Sequence, residues 1–460
     1  MSKALLKCNS ANAHVKLFRC DSAVRAQIKS SRTIREIVSI TMRLFRLEVP
    51  ICMEMKSFSL EFPSTEGAVA VVNVVRIERY PIREAYKMLR PPNSLSGMLH
   101  RLAVWLMMAF LCSAIIRFVL MLDLNKRVYN HTPGPCRVVT GISDGAAGLE
   151  LVSEVSIVFI STGLAKAYGN ETVRGGLAMF QLEKELAKHE AKPVKIEGEK
   201  FDQSKFAPLG ISSYYSKGRI LLYVVNSHPE RQCVEIFTYH KDKNVLFHRK
   251  SVCDARFTSI YDVVVVGADR FFISNLAYMG RGKLQTVELV MQSSFGALYF
   301  FDGRTVSLHE SRLSTPSALA IDRQRRLIFV GSLLNENVRV YALEKDYSLT
   351  FRTQISLLSS PAGIHIEEET GDIWIALHPV LHQAFLVTLY PSDEKVRSSS
   401  QVLRVRIQED GISWVITEPY ANDGATISAS NAVVYDKDHL LIGSMFGRLL
   451  HCDVLNPSIT

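Results

Sequence analysis

Arg219-ILLYVV-Asn226 begins on a charged turn residue, runs through apolar positions rich in β-branched and aromatic types, and stops at a small polar residue. The same phrase recurs as Val155-SIVFI-Ser161, Asp269-RFFI-Ser274, Arg326-LIFV-Gly331, Asp372-IWI-Ala376 and His439-LLI-Gly443. Repetition of this kind outranks local propensity, because each unit must bury its faces against its neighbours. The spacing of roughly 45 to 67 residues is what four short strands and their turns occupy in one blade of a β-propeller. Runs that are apolar on both faces suit inner strands covered by the adjoining blades. Ser161, Ser274, Gly331 and Gly443 close their runs, where the strand ends of a propeller crowd about its central channel. Alternating stretches such as Arg339-VYALEKDYSLTFRTQ-Ile355, with Asp346 at its turn, read as further strands, and helical periodicity is nearly absent. A β-sandwich is the rival, but six equivalent phrases fit radial repetition better. The expectation is an all-β, six-bladed β-propeller over residues 129–456.

Composition sets outer limits. A chain of 460 residues with 47% hydrophobic residues buries a large core, which excludes disorder and a disulfide-only miniprotein. The formal charge of +9 comes from 54 Lys and Arg against 45 acids without a long basic block, so no nucleic-acid partner is expected. Leu102 to Leu122 reads LAVWLMMAFLCSAIIRFVLML with Arg117 as its sole charge. About 20 apolar residues is the length a helix needs to cross a bilayer, and Arg117 sits near one end, where its stem can carry the guanidinium to the headgroups. Residues 98–124 are therefore expected to form a transmembrane helix of signal-anchor type.

Residues 1–97 read as a cytosolic N-terminal segment of unassigned role, with Cys8, Cys20 and Cys52 and one strand-like run at Val69–Val75. Met98-Leu-His-Arg101 resembles the short basic start of a signal anchor, which would make residues 1–97 an extension of the gene model. Basic residues flank the helix almost evenly: Arg83, Lys87, Arg90 and Arg101 before it, Lys126, Arg127 and Arg137 after it. The sequons at Asn130 and Asn170 break the tie toward a glycosylated propeller on the lumenal or extracellular side, in the endoplasmic reticulum or plasma membrane.

After the helix come Cys136, Cys233, Cys253 and Cys452, an even set that suits an oxidising compartment. Cys136 begins the propeller region and Cys452 ends it, so a bridge between them would close the ring and stabilise it by several kcal/mol in the loop-entropy model. Cys233 and Cys253 flank a hairpin around Asp242-Lys-Asn244 and either face each other across it or remain buried thiols. There is no Cys-x-x-Cys, nucleophile elbow or phosphate-cradling glycine loop; Arg174-Gly-Gly176 and Arg323-Gln-Arg-Arg326 read as turns.

From about Tyr129 to Leu455 the chain resembles the paraoxonase or arylesterase family. The stretches that carry the resemblance are Cys136-RVVTGI-Ser143, Ser156-IVFIST-Gly163, Lys200-FDQSKFAPLGI-Ser212, Leu221-LYVVNSH-Pro229, Glu369-TGDIWIALH-Pro379 and His439-LLIGSMFGRLLH-Cys452. The resemblance implies six blades, two calcium ions in the channel, an N-terminal apolar anchor and a ring-closing bridge matching Cys136 and Cys452. It further implies a calcium held by carboxylates and Asn amides that polarises an ester or lactone carbonyl, with histidines above it activating water. Here the family's acidic pair is replaced by Ala147 and Gly148, and its Asn-Asp pair by Tyr261 and Asp262, of which Asp262 alone keeps a ligand. Ser317 stands at an Asn position, and Ala362 and Gly363 at an Asp-Asn pair. Leu209 replaces the water-activating His. Ser227 displaces His228 by one place, which reverses its face on a strand, and His378 survives without its neighbouring Cys. No catalytic residue is assigned. The resemblance extends to membrane-anchored, channel-assisting members of the family, which implies a pseudoenzyme that binds and assists other membrane proteins such as channel subunits. The alternative is a calcium-dependent arylesterase or lactonase with ligands relocated to Asp144, Glu150 or Asp322.

Overall fold

Each of the six recurrent phrases forms the second strand of a four-stranded antiparallel meander. The computed structural model describes residues 55–59, 71–75 and 95–456, apart from 125, 143, 171, 183–188, 200, 281, 392, 394 and 409–412. The chain divides into two units, Met1–Leu102 and Ala103–Thr460. In the first, β1 (Met55–Ser59) pairs antiparallel with β2 (Val71–Val75), so the described part of the apolar run expected at Val69–Val75 is a strand. Cys8, Cys20 and Cys52 lie outside the described residues.

The second unit holds six meanders. They are β4 (Gly148–Val152), β5 (Ile157–Thr162), β6 (Gly176–Gln181) and β7 (Lys192–Glu197); β8 (Pro208–Ser216), β9 (Arg219–His228), β10 (Arg231–His240) and β11 (Val245–Cys253); β12 (Ile260–Gly267), β13 (Arg270–Asn275), β14 (Gly296–Phe301) and β15 (Val306–Leu313). Then follow β16 (Pro316–Asp322), β17 (Leu327–Ser332), β18 (Asn337–Leu343) and β19 (Leu349–Ser356); β20 (Ser360–Ile366), β21 (Ile373–His378), β22 (Ser400–Ile407) and β23 (Trp414–Asn422); and β24 (Ser430–Asp436), β25 (His439–Ser444) and β26 (Leu449–Asp453), completed by β3 (Cys136–Val139). The first two meanders share an eight-stranded sheet through parallel pairing of β7 with β11, and the rest are separate four-stranded sheets. The first strands touch in succession, β4 to β8, β12, β16, β20 and β24, and β24 returns to β4. This radial order is an all-β propeller and excludes a sandwich.

The apolar phrases sit where neighbouring sheets cover both faces. Phe159, Phe329, Trp374 and Ile375 are fully buried, and Phe329 shares a cluster with Ile373, Ile375 and Val405 of the next sheet. Burying such a side chain contributes about 1.5 to 3 kcal/mol, so each phrase binds its sheet to two neighbours. The small residues end the phrases because another backbone lies against them. Ser161 Oγ donates to Leu209 O at 2.5 Å and Ser274 Oγ to Ser317 O at 2.6 Å. A Cβ on Gly443 would stand 2.2 Å from Ala146 O.

Helices interrupt the all-strand expectation. α1 (Leu95–Met121) precedes the propeller, and α2 (Lys283–Val290) and α3 (Leu381–Leu389) lie within it. In α3 the buried Leu381, Ala384 and Val387 recur every third position, a signal too short to stand out beside the apolar strand that precedes it. Among the described residues α1 is the one helix long and apolar enough to cross a membrane, with Trp105, Phe110 and Leu120 exposed along it, which is compatible with a membrane anchor. Its end is tied to the propeller. Gln292 Nε2 donates to Arg117 O at 3.2 Å, His382 Nδ1 to Leu122 O at 2.5 Å, and Lys126 Nζ meets Glu336 Oε1 at 3.1 Å and Leu358 O at 2.7 Å.

Both expected bridges are present. Cys136 and Cys452 are bonded across the paired β3 and β26, 316 residues apart in sequence with Cα atoms 4.0 Å apart. Cys233 and Cys253 are bonded across β10 and β11, so they are not buried thiols. Because the first bridge restricts nearly the whole propeller in the unfolded state, Cys136→Ser is expected to lower stability by about 3 to 5 kcal/mol. Denaturant unfolding of the variant checks this, and peptide mapping without reductant should recover Cys136 joined to Cys452.

Candidate functional site

The first strands of all six meanders line a central cavity of about 550 Å³. Ala147, Gly148, Leu209, Tyr261, Asp262, Ala362 and Gly363 all line it, so seven of the positions singled out in the sequence do converge. Ser317, Ser227, His228 and His378 are not among its lining residues. Ser317 Oγ donates to Pro361 O at 2.8 Å and Ser227 Oγ to Ile260 O at 3.1 Å. His228 Nδ1 accepts from Glu230 N at 3.3 Å. His378 is buried with neither ring nitrogen hydrogen-bonded among the described residues, and burial pushes it down to about 4.

At two of these positions the backbone of a neighbouring strand lies where a side chain would stand. A Cβ on Gly148 would stand 2.2 Å from Leu209 O, and one on Gly363 would stand 2.4 Å from Asn431 O. Neighbouring first strands have closed over the space a longer residue needs, so glycine is sterically required at both. Asn431 is a channel residue that sequence reasoning missed. Its Nδ2 donates to Ala147 O at 2.6 Å, and its Oδ1 accepts from Tyr261 Oη at 2.8 Å. The signal was available, since Asn431 precedes the phrase at His439 by the interval that separates Tyr261 from the phrase at Asp269.

Seven carboxyls line the cavity, Glu150, Glu154, Asp262, Asp322, Glu367, Glu368 and Glu369, and two of them, Asp262 and Glu150, are pushed well above the usual carboxylate range. Asp262 Oδ1 accepts from Val263 N and Oδ2 from Leu319 N, each at 2.8 Å, yet burial pushes the group up to about 8, with Glu150 adding to the rise. Glu150 Oε1 accepts from Ser213 N at 2.7 Å and Ser213 Oγ at 2.8 Å, and burial pushes it up to about 7. Of the other relocated-ligand candidates, Asp322 is spent on Arg325, accepting its backbone N at 2.8 Å and pairing with its Nη1 at 3.2 Å. Asp144 does not line the cavity. His365, which does, donates from Nε2 to Tyr435 O at 3.1 Å and is pushed down to about 4 by burial. Among its lining side chains the channel thus includes two buried acids that hold their protons above the usual carboxylate range and one neutral imidazole, set in a hydrogen-bonded backbone frame.

Residues 127–454 match the family model described as Arylesterase. The chain belongs to the arylesterase family. Mechanosensory abnormality protein 6 of Caenorhabditis elegans is 42% identical over 369 residues, covering 79% of this chain and 97% of that relative. Serum paraoxonase/arylesterase 2 of Gallus gallus is 28% identical over 327 residues, covering 69% of this chain and 88% of its own. Human serum paraoxonase/arylesterase 1 is 26% identical over 330 residues with the same coverages.

The raised carboxyls make stability depend on pH. The folded family domain keeps protons on Asp262 and Glu150 that the unfolded chain releases near pH 4, so their contribution is full below that value and is lost as pH rises through about 7 and 8. His365, His378 and His451, each lowered to about 4, act in the opposite sense, but only below about pH 6.5, where unfolded imidazoles protonate. The melting temperature is therefore expected to fall between about pH 6.5 and 8.5, and Asp262→Asn to flatten that fall. Thermal melts of both proteins across the window decide it, and an equally steep fall in the variant contradicts the assignment.

Proposed function

We propose that this chain is a membrane-anchored, six-bladed paraoxonase-like propeller that binds and assists other membrane proteins, such as channel subunits, rather than hydrolysing esters. The eight-stranded sheet is read as two blades whose outer edges pair, which makes six with the four separate sheets. The observation that carries the non-catalytic reading is the channel floor. Calcium takes six to eight oxygens at about 2.3 to 2.6 Å. Ala147, Gly148, Ala362 and Gly363 offer no side-chain oxygen, Tyr261, Asn431 and Ser317 are bonded to one another or to backbone, and both Asp262 oxygens already accept N–H groups. This donor set does not fit a calcium ion, and Leu209 offers no base. The relative from C. elegans is named for mechanosensory abnormality and not for ester hydrolysis, which supports the non-catalytic reading.

α1 supplies the membrane anchor in this reading, with residues 1–97 on the cytosolic side or, if translation starts at Met98, absent. The propeller then lies on the lumenal or extracellular side, in the endoplasmic reticulum or plasma membrane. Two disulfides and the sequons support that side. Asn170 Oδ1 accepts from Thr172 Oγ1 at 2.6 Å in a turn, and Asn130 is exposed with its Oδ1 accepting from Asp423 N at 2.7 Å. Glycosidase treatment is expected to lower the mass of the native protein, and Asn170→Gln to remove most of that shift. A propeller open to protease from the cytosolic side of sealed vesicles would contradict the topology.

A calcium-dependent arylesterase remains the second reading, favoured by one observation: Glu150 and Asp262 share the channel. The purified protein is expected to show no calcium-dependent hydrolysis of phenyl acetate or aliphatic lactones, and no thermal shift when calcium is restored after chelation. A saturable, chelator-sensitive rate that disappears in Asp262→Ala would establish the second reading instead.

A further inference from the structure

On the closing sheet, away from the channel, β25 and β26 bring together a second group of titratable side chains. His439 pairs directly with Asp453 across the ladder, and His451 lies two residues before Asp453, so all three share one face. Cys452, between them, points to the opposite face, where it bonds Cys136. His451 Nε2 lies 3.2 Å from His439 Nδ1, His439 Nδ1 lies 3.6 Å from Asp453 Oδ1, and His451 Nε2 lies 3.9 Å from Asp453 Oδ1. Ligands about 2.0 to 2.1 Å from a tetrahedral zinc ion stand about 3.3 Å from each other, so small side-chain adjustments would bring these three atoms around one ion.

Two further observations favour a ligand here. His189 packs against His451 with ring centroids 5.4 Å apart, and its buried Nε2 has no hydrogen-bond partner among the described residues. An orphaned buried nitrogen is costly unless something completes it. Arg137, opposite His451 on β3, holds Asp453 Oδ2 at 3.2 Å, which leaves Oδ1 turned to the histidines, the kind of outer support that orients a metal-bound carboxylate.

We propose that His439, His451 and Asp453 form a divalent transition-metal site, zinc by its donor set, with His189 beside it as a residue whose ring would have to turn to supply a fourth donor. Two imidazole nitrogens and one carboxylate suit zinc and disfavour calcium, which requires more oxygens. The ion would clip β25 to β26 on the face opposite the disulfide, so the site is separate from the family's channel.

The test uses the untagged full-length protein in detergent, stripped with chelator and dialysed against zinc or cobalt. The expected result is one retained equivalent of zinc, a four-coordinate cobalt visible spectrum, and no displacement by millimolar calcium. His439→Ala and Asp453→Asn alter partly exposed side chains, and each should weaken zinc binding by about 100-fold while melting cooperatively. His189→Ala should weaken it less, and His309→Ala should leave it unchanged. Retention below a tenth of an equivalent, unchanged binding in His439→Ala, or displacement by calcium would overturn the proposal.

Discussion

The pairing of β3 with β26 is the constraint on which the rest of this structure depends. A propeller is a ring of sheets, and a ring has no stabilising seam until its ends meet. Here Cys136 and Cys452 stand opposite each other in register and are bonded, so a strand from the start of the domain completes a sheet begun at its end. Once the seam is made, every phrase-bearing strand is covered on both faces, and the buried aromatic and β-branched residues of one sheet become the neighbours of the next.

Closure also shapes the channel. The six first strands converge on the axis, and the distance between their backbones sets which side chains can stand there. At Gly148 and Gly363 that distance leaves no room for a Cβ. Tyr261 and Asn431, from opposite sides of the ring order, bond each other over the space, and Asn431 also holds Ala147. These polar side chains thus bond to one another and to backbone. Two of the acids that line the channel, Asp262 and Glu150, are buried by the same convergence and hold protons well above the usual carboxylate range.

Much of this was legible in the chain. The six phrases marked the second strands because a strand buried on both faces must be apolar throughout, and that pattern survives without knowledge of its neighbours. The apolar run of α1 and the positions of Cys136 and Cys452 were legible for similarly local reasons. α3 was not, because nine residues with a three-residue apolar spacing resemble a strand continuation. Asn431 was missed although its interval to the phrase at His439 matches that of Tyr261 to the phrase at Asp269, because its partners Tyr261 and Ala147 lie far away in sequence and only the ring brings them together.

The sequence by itself determined the repeat, the membrane-length helix, the even set of cysteines after it and the small or apolar residues at Ala147, Gly148, Leu209, Ala362 and Gly363. These are statements about which residue types occupy which intervals. Only the tertiary structure decided that Gly148 and Gly363 face backbone at less than contact distance, that Asp262 spends both oxygens on N–H groups, and that His228 and His378 lie off the channel. It alone brought His189 to the face of His439, His451 and Asp453, roughly 250 residues later in the chain. The physical reason is that ring closure sets distances between residues remote in sequence, and no local pattern encodes a distance across the ring.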